Sequence, residues 1–387
     1  MDANEQLFSE ATSAVFDDVE PAVSGFDPEI SSLMKEIPRL VSKMVSGQRT
    51  AYPENIRRTL PKVIGGVFDD ASVGAAAFTY KGNYFIGLNW GTYSLLYELF
   101  RRLLSHPHVL PWVGDSSKEI PLSKFNDVPL RSEISDIRAT FLSPQEVQYP
   151  RDPLREEAAW YLTHAATGWI LFHEFRHIYG GHLDYNISRT GIPFIREMMS
   201  ENKDSETGLI LQAQEMDADL FASHYAIGNE VAWHRGDHPD NPHWHRFFPD
   251  PRHVIECALL RTDTVFKIFD MGDTPDPSTW AQKEHPPLFV RRRMNAELLW
   301  RDLPLINELS HLREVMTSQI MPTVFSISET TTSSLFGKPE RDSPWATGQD
   351  VVHNHILAIF DAWRKILPEI LPFRYLDSKF DRISRGE

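Results

Sequence analysis

Short runs rich in hydrophobic residues occur between residues 62 and 89, and hydrophobic residues recur at helical spacing over most of the remaining chain. The runs KVIGGVF, GAAAFTY and NYFIGLN predict β-strands, and Lys81-Gly82 between the last two predicts a tight hairpin turn. A helix is predicted over residues 92–104. Before the first strand we expect a loosely ordered acidic arm over residues 1–25 and an amphipathic helix over residues 28–45.

The strongest helical pattern covers residues 153–179. Asp152 is a favourable N-cap, Pro153 suits the first helical position, and Gly180-Gly181 is a typical C-terminal stop. At 1.5 Å per residue this helix is roughly 40 Å long, enough to pass through the middle of a domain. A second helix is predicted over residues 208–227, with Gly228 ending it. Further helices are predicted over residues 252–270, 287–301, 305–320 and 350–367.

These elements predict an α+β, helix-rich fold with a small β-sheet and a pair of helices that carries the chemistry. Segment 106–150 is rich in proline and predicts a long loop. The predicted order is an N-terminal arm and helix (1–60), a catalytic domain (61–325), a polar loop (326–348) and a C-terminal helical segment (349–387).

Composition narrows the class of protein. The chain has 387 residues, 41% of them hydrophobic, and a net charge of −15, so we expect no nucleic-acid partner. Its one cysteine, Cys257, excludes an intrachain disulfide and a cysteine-based zinc cage. The acidic N-terminus predicts no secretory signal, and no apolar run is long enough to predict a membrane span. We therefore expect a cytoplasmic protein; its oligomeric state is not predicted.

The segment ILFHEFRHIYGGH, residues 170–182, carries the candidate chemistry. His173 and His177 are four residues apart and share one face of a helix, so both imidazoles can bind one cation. Glu174 is rotated by about 100° from His173, where its carboxylate can reach water beside the metal. The alternative is an ordinary helix in a chain with 16 histidines. We predict a Zn²⁺ site with Glu174 as its general base.

A catalytic zinc usually has three protein ligands, so a third is expected downstream. An extended pattern with a third histidine fits at Gly180 but fails at Leu183, because His182 is one position early.

The better candidate for the third ligand is Glu215, in the segment EMDAD on the second predicted helix. Asp219 lies on the same face, four residues later, and can accept a hydrogen bond from a ligand histidine. Asp217 is rotated by about 200° from Glu215 and is expected to face elsewhere. The alternative is an acidic, solvated helix face. We predict Glu215 as the metal ligand and Asp219 as its supporting carboxylate.

HExxH on one helix and Glu-x-x-x-Asp on a second resemble the gluzincin pattern of zinc metallopeptidases. EMDADLFA, beginning at Glu215, is similar to a motif of the HtpX-type and CAAX-processing metallopeptidases. HPPLFVR, beginning at His285, is similar to their HP-x4-R segment. The resemblance implies a zincin-like domain in which His285 and Arg291 stabilise the oxyanion or orient ligands. Those families are embedded in membranes, whereas no membrane span is predicted here.

The phrase WILFHEFRHIYGGH also resembles the zinc helix of the soluble phage-exclusion, or Lit-type, peptidases, which cut a cytosolic translation elongation factor when phage is sensed. The resemblances rest on three motifs between residues 150 and 300. They imply a zinc endopeptidase that cuts a cytosolic protein or peptide, in phage defence or a stress response. Two alternatives stay open: a zinc-binding sensor or regulatory protein with little proteolysis, and a metal-free interaction protein.

Overall fold

The computed structural model describes residues 3–16, 39, 41–45, 47, 53–70, 72–120, 150–196, 203–236, 244–269, 276–335 and 349–384. Within these ranges the protein is helix-rich and contains a small mixed sheet, which confirms the α+β class. The zincin-like fold stays a prediction, and so do the domain boundaries. Most of the predicted 28–45 helix and most of the predicted 106–150 loop lie outside the described residues.

The helices agree with the predicted pattern over most of the described chain. The segment predicted as the helix 305–320 instead holds short 3₁₀ and α turns followed by the π-helical turn Met316–Ile320. The longer helices span Ala3–Val15, Trp90–Leu104, Pro153–Tyr179, Ser205–His234, Pro251–Phe269, Leu288–Asp302, Met321–Leu335 and Gln349–Ile370, and the shorter ones Glu54–Arg57, His182–Thr190, Arg313–Val315 and Lys379–Ser384. None of them combines the length and apolar character that a membrane crossing requires.

In the part of the chain that the structure describes, four strands form one sheet. They are β1 (Val63–Phe68), β2 (Ala75–Tyr80), β3 (Asn83–Asn89) and β4 (Phe194–Arg196), in the order β1-β3-β2-β4. β1 is parallel to β3, and β2 is antiparallel to both of its neighbours. The predicted hairpin is confirmed: Lys81 and Gly82 have φ of 48° and 73°, as a two-residue primed turn requires.

The prediction of a loosely ordered arm over residues 1–25 is wrong for its first part, because Ala3–Val15 is a helix. Phe8 is buried, and its ring lies 5.7 Å from that of Phe68 and 5.9 Å from that of Phe78. Gly66 permits this contact, since a Cβ there would lie 2.4 Å from the Phe8 ring. Apolar burial on the sheet therefore stabilises a helix whose acidic composition concealed it.

Two further boundaries differ from prediction. The second helix continues through Gly228 to His234, where the glycine was expected to end it. The segment predicted as a polar loop over 326–348 is helical to Leu335; its remainder, 336–348, lies outside the described residues. Ser328 is fully buried there and donates a hydrogen bond to Asp263. Tertiary packing and a satisfied hydroxyl thus override the low helix propensity of a Ser/Thr-rich run.

Two helices position the candidate site. The motif helix, Pro153–Tyr179, begins as predicted at Asp152, whose side chain accepts a hydrogen bond from the Leu154 amide, and is buried along most of its length. The glutamate helix, Ser205–His234, packs against it, and the C-terminal helix Gln349–Ile370 packs against the glutamate helix in turn. Polar side chains at the contact between these two helices are therefore buried.

Arg155 fixes the start of the motif helix to the segment that precedes residue 114. Its side chain is fully buried, and all of its guanidinium N–H groups donate to backbone carbonyls at 2.7–3.0 Å. The donors of the planar guanidinium thus match the carbonyl groups of a loop that surrounds it. The acceptors are the carbonyl oxygens of Leu104, His106, Val109, Leu110 and Val113.

We predict that Arg155→Lys lowers the free energy of unfolding by about 3 kcal/mol, because one ammonium cannot serve five carbonyls that are buried. The measurement is urea unfolding followed by circular dichroism. Arg58→Met is the control, since its guanidinium is exposed and is paired with Glu54, also exposed; its effect is expected to stay below about 1 kcal/mol. Equal urea midpoints for the two variants would show that the buried guanidinium contributes no more to stability than the exposed one.

Candidate metal centre

Three buried side chains converge where the motif and glutamate helices meet. Nitrogen atoms of His173 and His177 and a carboxylate oxygen of Glu215 all lie within 4.8 Å of one another. Nε2 of His173 is 3.0 Å from Nε2 of His177 and 3.2 Å from Oε2 of Glu215. Nε2 of His177 is 3.4 Å from Oε1 of Glu215. The structure thus brings together the three predicted ligands, and this group could hold a metal ion.

The convergence follows from helix geometry. His173 and His177 are one turn apart on the motif helix, so their side chains leave the same face. The glutamate helix packs on that face and directs Glu215 towards it, with 5% of the residue exposed. Burying a carboxylate is costly unless it gains partners. Here the two imidazoles supply them.

The electrostatics suit a cation. Burial lowers the pKa of His177 well below its usual value, so the imidazole is neutral and its lone pair can coordinate a metal. Burial opposes ionisation of Glu215, but the charge of His285 and a hydrogen bond from His173 hold the pKa of that carboxyl well below its usual value. The imidazole of His177 and the carboxylate of Glu215 are therefore in the ionisation states that bind a metal.

Asp219 supports His173 as predicted. Its Oδ1 is 3.0 Å from Nδ1 of His173, and this contact directs Nε2 of the ring towards Glu215. Arg291 binds both oxygens of Asp219 at 2.7 and 2.8 Å and is 3% exposed. Of the two roles that the resemblance implied for Arg291, the contacts fit the orientation of a ligand, because its charge is directed at Asp219.

Glu174 and His285 complete the predicted set. Glu174 is buried next to His173 on the motif helix. His285 lies just before the helix Leu288–Asp302, and its Nδ1 is 3.2 Å from Oε2 of Glu215. With 26% of its side chain exposed, compared with 6% or less for the three candidate ligands, His285 is the most exposed of these side chains, and both of its ring nitrogens are buried. Their catalytic roles stay predictions.

His182 and Asp217 belong to the same network, and sequence reasoning missed both. Nδ1 of His182 is 3.2 Å from Nδ1 of His177, and its Nε2 is 3.0 Å from Oδ2 of Asp217. Neither is among the three candidate ligands, in agreement with their exclusion as ligands. The signal available in the sequence was a histidine directly after the Gly180-Gly181 stop, where a chain reversal can return it to the preceding helix.

Comparisons of the chain with protein-family models, with curated proteins and with solved structures found no match. The chemistry must therefore be argued from the side chains. Two imidazole nitrogens and one carboxylate oxygen form a donor set typical of catalytic transition-metal sites with an open position. The donors fit a divalent cation, and a carboxylate that follows the first imidazole in the sequence lies buried beside them.

We predict that the protein binds one divalent transition-metal ion and that Glu215→Ala loses it, because two imidazoles without the carboxylate bind far more weakly. The measurements are elemental analysis of the purified protein and calorimetric titration of the metal-free protein with Zn²⁺. Glu206→Ala is the matched control on the same helix, since Glu206 is exposed and contacts only Lys365 at 3.8 Å among its described ion pairs. Equal Zn²⁺ affinities of the Glu215→Ala and wild-type proteins would exclude this ligand set.

Proposed function

We propose that the protein is a zinc-dependent endopeptidase of the gluzincin type. The observation that carries the proposal is the His173, His177 and Glu215 group with Glu174 buried directly after the first histidine. A site that only holds zinc for stability needs no general base, and structural zinc sites usually fill all four positions with protein ligands. The similarity of EMDADLFA and HPPLFVR to metallopeptidase motifs supports the same class of enzyme.

His173, His177 and Glu215 would hold the zinc, which would supply Lewis-acid polarisation and lower the pKa of water in contact with it. Glu174 accepts the proton of the attacking water and donates it to the nitrogen of the leaving amine. His285, the most exposed side chain of the group, donates a hydrogen bond to the developing oxyanion. Asp219 and Arg291 keep the His173 ring in place throughout.

The proposed substrate is a cytosolic protein or peptide. Support comes from the resemblance of the motif helix to that of the phage-exclusion peptidases, which cut a cytosolic translation elongation factor. We accordingly propose a role in phage defence or in a stress response, with the protein itself in the cytoplasm. The net charge of −15 favours a protein substrate over a nucleic acid.

Burial of the donors favours one alternative, a zinc-binding regulatory protein with little proteolysis. His173, His177 and Glu174 are each about 1% exposed, and a peptide must reach groups that the described residues almost completely cover. The two functions differ in one measurable property: a regulatory protein binds zinc but cleaves peptides rarely or not at all.

Replacement of the general base tests the mechanism. We predict that Glu174→Gln keeps its zinc but lowers the rate of cleavage by about 10²–10⁴-fold, because an amide cannot accept the proton of water. Wild-type and variant proteins are incubated with a peptide library made from a bacterial proteome, and new N-termini are counted by mass spectrometry. Glu157→Gln, a half-exposed position on the same helix that is paired with Arg246, is the control expected to cleave normally. Zinc-loaded Glu174→Gln that cleaves like wild type would end the proposed mechanism.

Removal of the metal provides an independent test. Dialysis against a chelator is expected to stop cleavage, and stoichiometric Zn²⁺ to restore it. The melting temperature is expected to fall as well, because a ligand that binds only the folded state stabilises it by about 2.7 kcal/mol at one hundred times its dissociation constant. Cleavage that persists in metal-free protein would assign the activity to other residues or to a contaminant.

A further inference from the structure

A chain of hydrogen-bonding groups leads away from His177 on the side opposite the candidate metal position. Nδ1 of His177 faces Nδ1 of His182 at 3.2 Å, and Nε2 of His182 faces Oδ2 of Asp217 at 3.0 Å. All three side chains are buried, with exposures of 0–1%. His182 begins the helix His182–Thr190, directly after Gly181 with φ of 79°.

With one proton on each imidazole, a single arrangement of protons satisfies these contacts. Both oxygens of Asp217 act as acceptors, because Nε of Arg176 donates to Oδ2 at 2.6 Å and the hydroxyl of Ser378 donates to Oδ1. Nε2–H of His182 therefore donates to Asp217, which leaves the lone pair on Nδ1 of His182 as an acceptor. Nδ1–H of His177 donates to that lone pair. The second lone pair, on Nε2 of His177, then points towards Glu215.

Asp217 is held in turn by the C-terminal segment, residues 371–384. Ser378 donates a hydrogen bond from its hydroxyl to Oδ1 of Asp217. Arg176 donates to the carbonyl oxygens of Leu376 and Asp377 at 2.9 and 3.2 Å. The amides of Tyr375 and Leu376 donate to the carbonyl oxygen of Tyr179 at 2.9 and 3.0 Å, so the segment is attached to the end of the motif helix.

We propose that His182 and Asp217 are positioning residues for the metal ligand His177, and that the C-terminal segment holds them in place through Ser378. This inference rests on the proposed metal site and adds a second support to it. His173 is oriented by Asp219, and His177 by Asp217 through an intervening imidazole. The two carboxylates leave the glutamate helix on different faces and therefore approach the two ligands from different sides.

The test compares zinc affinities, which do not depend on catalysis. His182→Phe keeps the ring volume but removes the acceptor, so its affinity for Zn²⁺ is expected to fall about 10–100-fold. His182→Asn places an amide oxygen near the position of Nδ1 and is expected to recover a large part of that loss. Ser378→Ala is expected to weaken binding in the same direction by a smaller factor. Affinities are measured by competition with a chromophoric chelator, and the visible spectrum of bound Co²⁺ reports changes in ligand geometry.

The control is His311→Phe, which alters an exposed histidine in the 3₁₀ turn Ser310–Leu312. This turn contributes none of the three candidate ligands, so the zinc affinity is expected to stay unchanged. Recovery by His182→Asn separates an orienting role from loss of packing. Equal affinity and an equal Co²⁺ spectrum for wild type and His182→Phe overturn the inference while leaving the metal site intact. If the wild-type protein binds no zinc, the proposed metal site is itself wrong. If it binds zinc but cleaves no peptide, only the proposed peptidase function is wrong.

If His182→Phe does not fold, the wild-type protein supplies the test. Nitrogen NMR of the zinc-loaded, histidine-labelled protein is expected to show His177 protonated at Nδ1 and metal-bound at Nε2, and His182 protonated at Nε2. Signals are assigned by comparison with His182→Asn. A proton on Nδ1 of His182, or metal bound through Nδ1 of His177, overturns the proposed orientation.

Discussion

The structure depends on the burial of charge where the motif and glutamate helices meet. Removing a carboxylate from water costs several kcal/mol unless it is paired, and every acidic group at this contact must therefore find a cation or a proton. Two of the buried carboxylates, Asp217 and Asp219, are paired with the guanidiniums of Arg176 and Arg291. Glu215 instead faces imidazoles, those of His173, His177 and His285. A divalent cation held by His173, His177 and Glu215 would supply positive charge at that position.

The same constraint explains why distant parts of the chain are attached to the site. Arg291 and the C-terminal segment are 72 and 161 positions from the acidic residues they contact, Asp219 and Asp217. Each provides donors that a buried carboxylate needs and that neighbouring turns of its own helix do not supply. The C-terminal segment thus contacts Asp217 beside the candidate metal centre, although it follows the last predicted helix, 350–367, and no site residue was predicted in it.

Helix spacing and N-cap preferences correctly predicted the features that depend on residues close together in the sequence. The i, i+4 spacing placed His173 beside His177 and Glu215 on the same face as Asp219, and the Asp152 cap located the start of the motif helix to the residue. The sequence did not predict Asp217's partner, because the rotation of about 200° that excluded it as a ligand says nothing of what lies on the other face. The helix Ala3–Val15 and the three-residue strand β4 were missed because each is stabilised by contacts with the sheet, with little local signal.

The contacts of Arg291 also limit which residue can stabilise the oxyanion in the proposed mechanism. A guanidinium whose donors are engaged by both oxygens of Asp219 cannot turn towards a developing oxyanion without leaving a buried carboxylate unpaired, a cost of about 3–5 kcal/mol. That cost is comparable to what one oxyanion donor contributes to catalysis, about 2.7–4 kcal/mol. Reorientation therefore brings no net gain. In the proposed mechanism the oxyanion donor is accordingly His285, the most exposed side chain of the group, whose Nδ1 is 3.2 Å from Oε2 of Glu215.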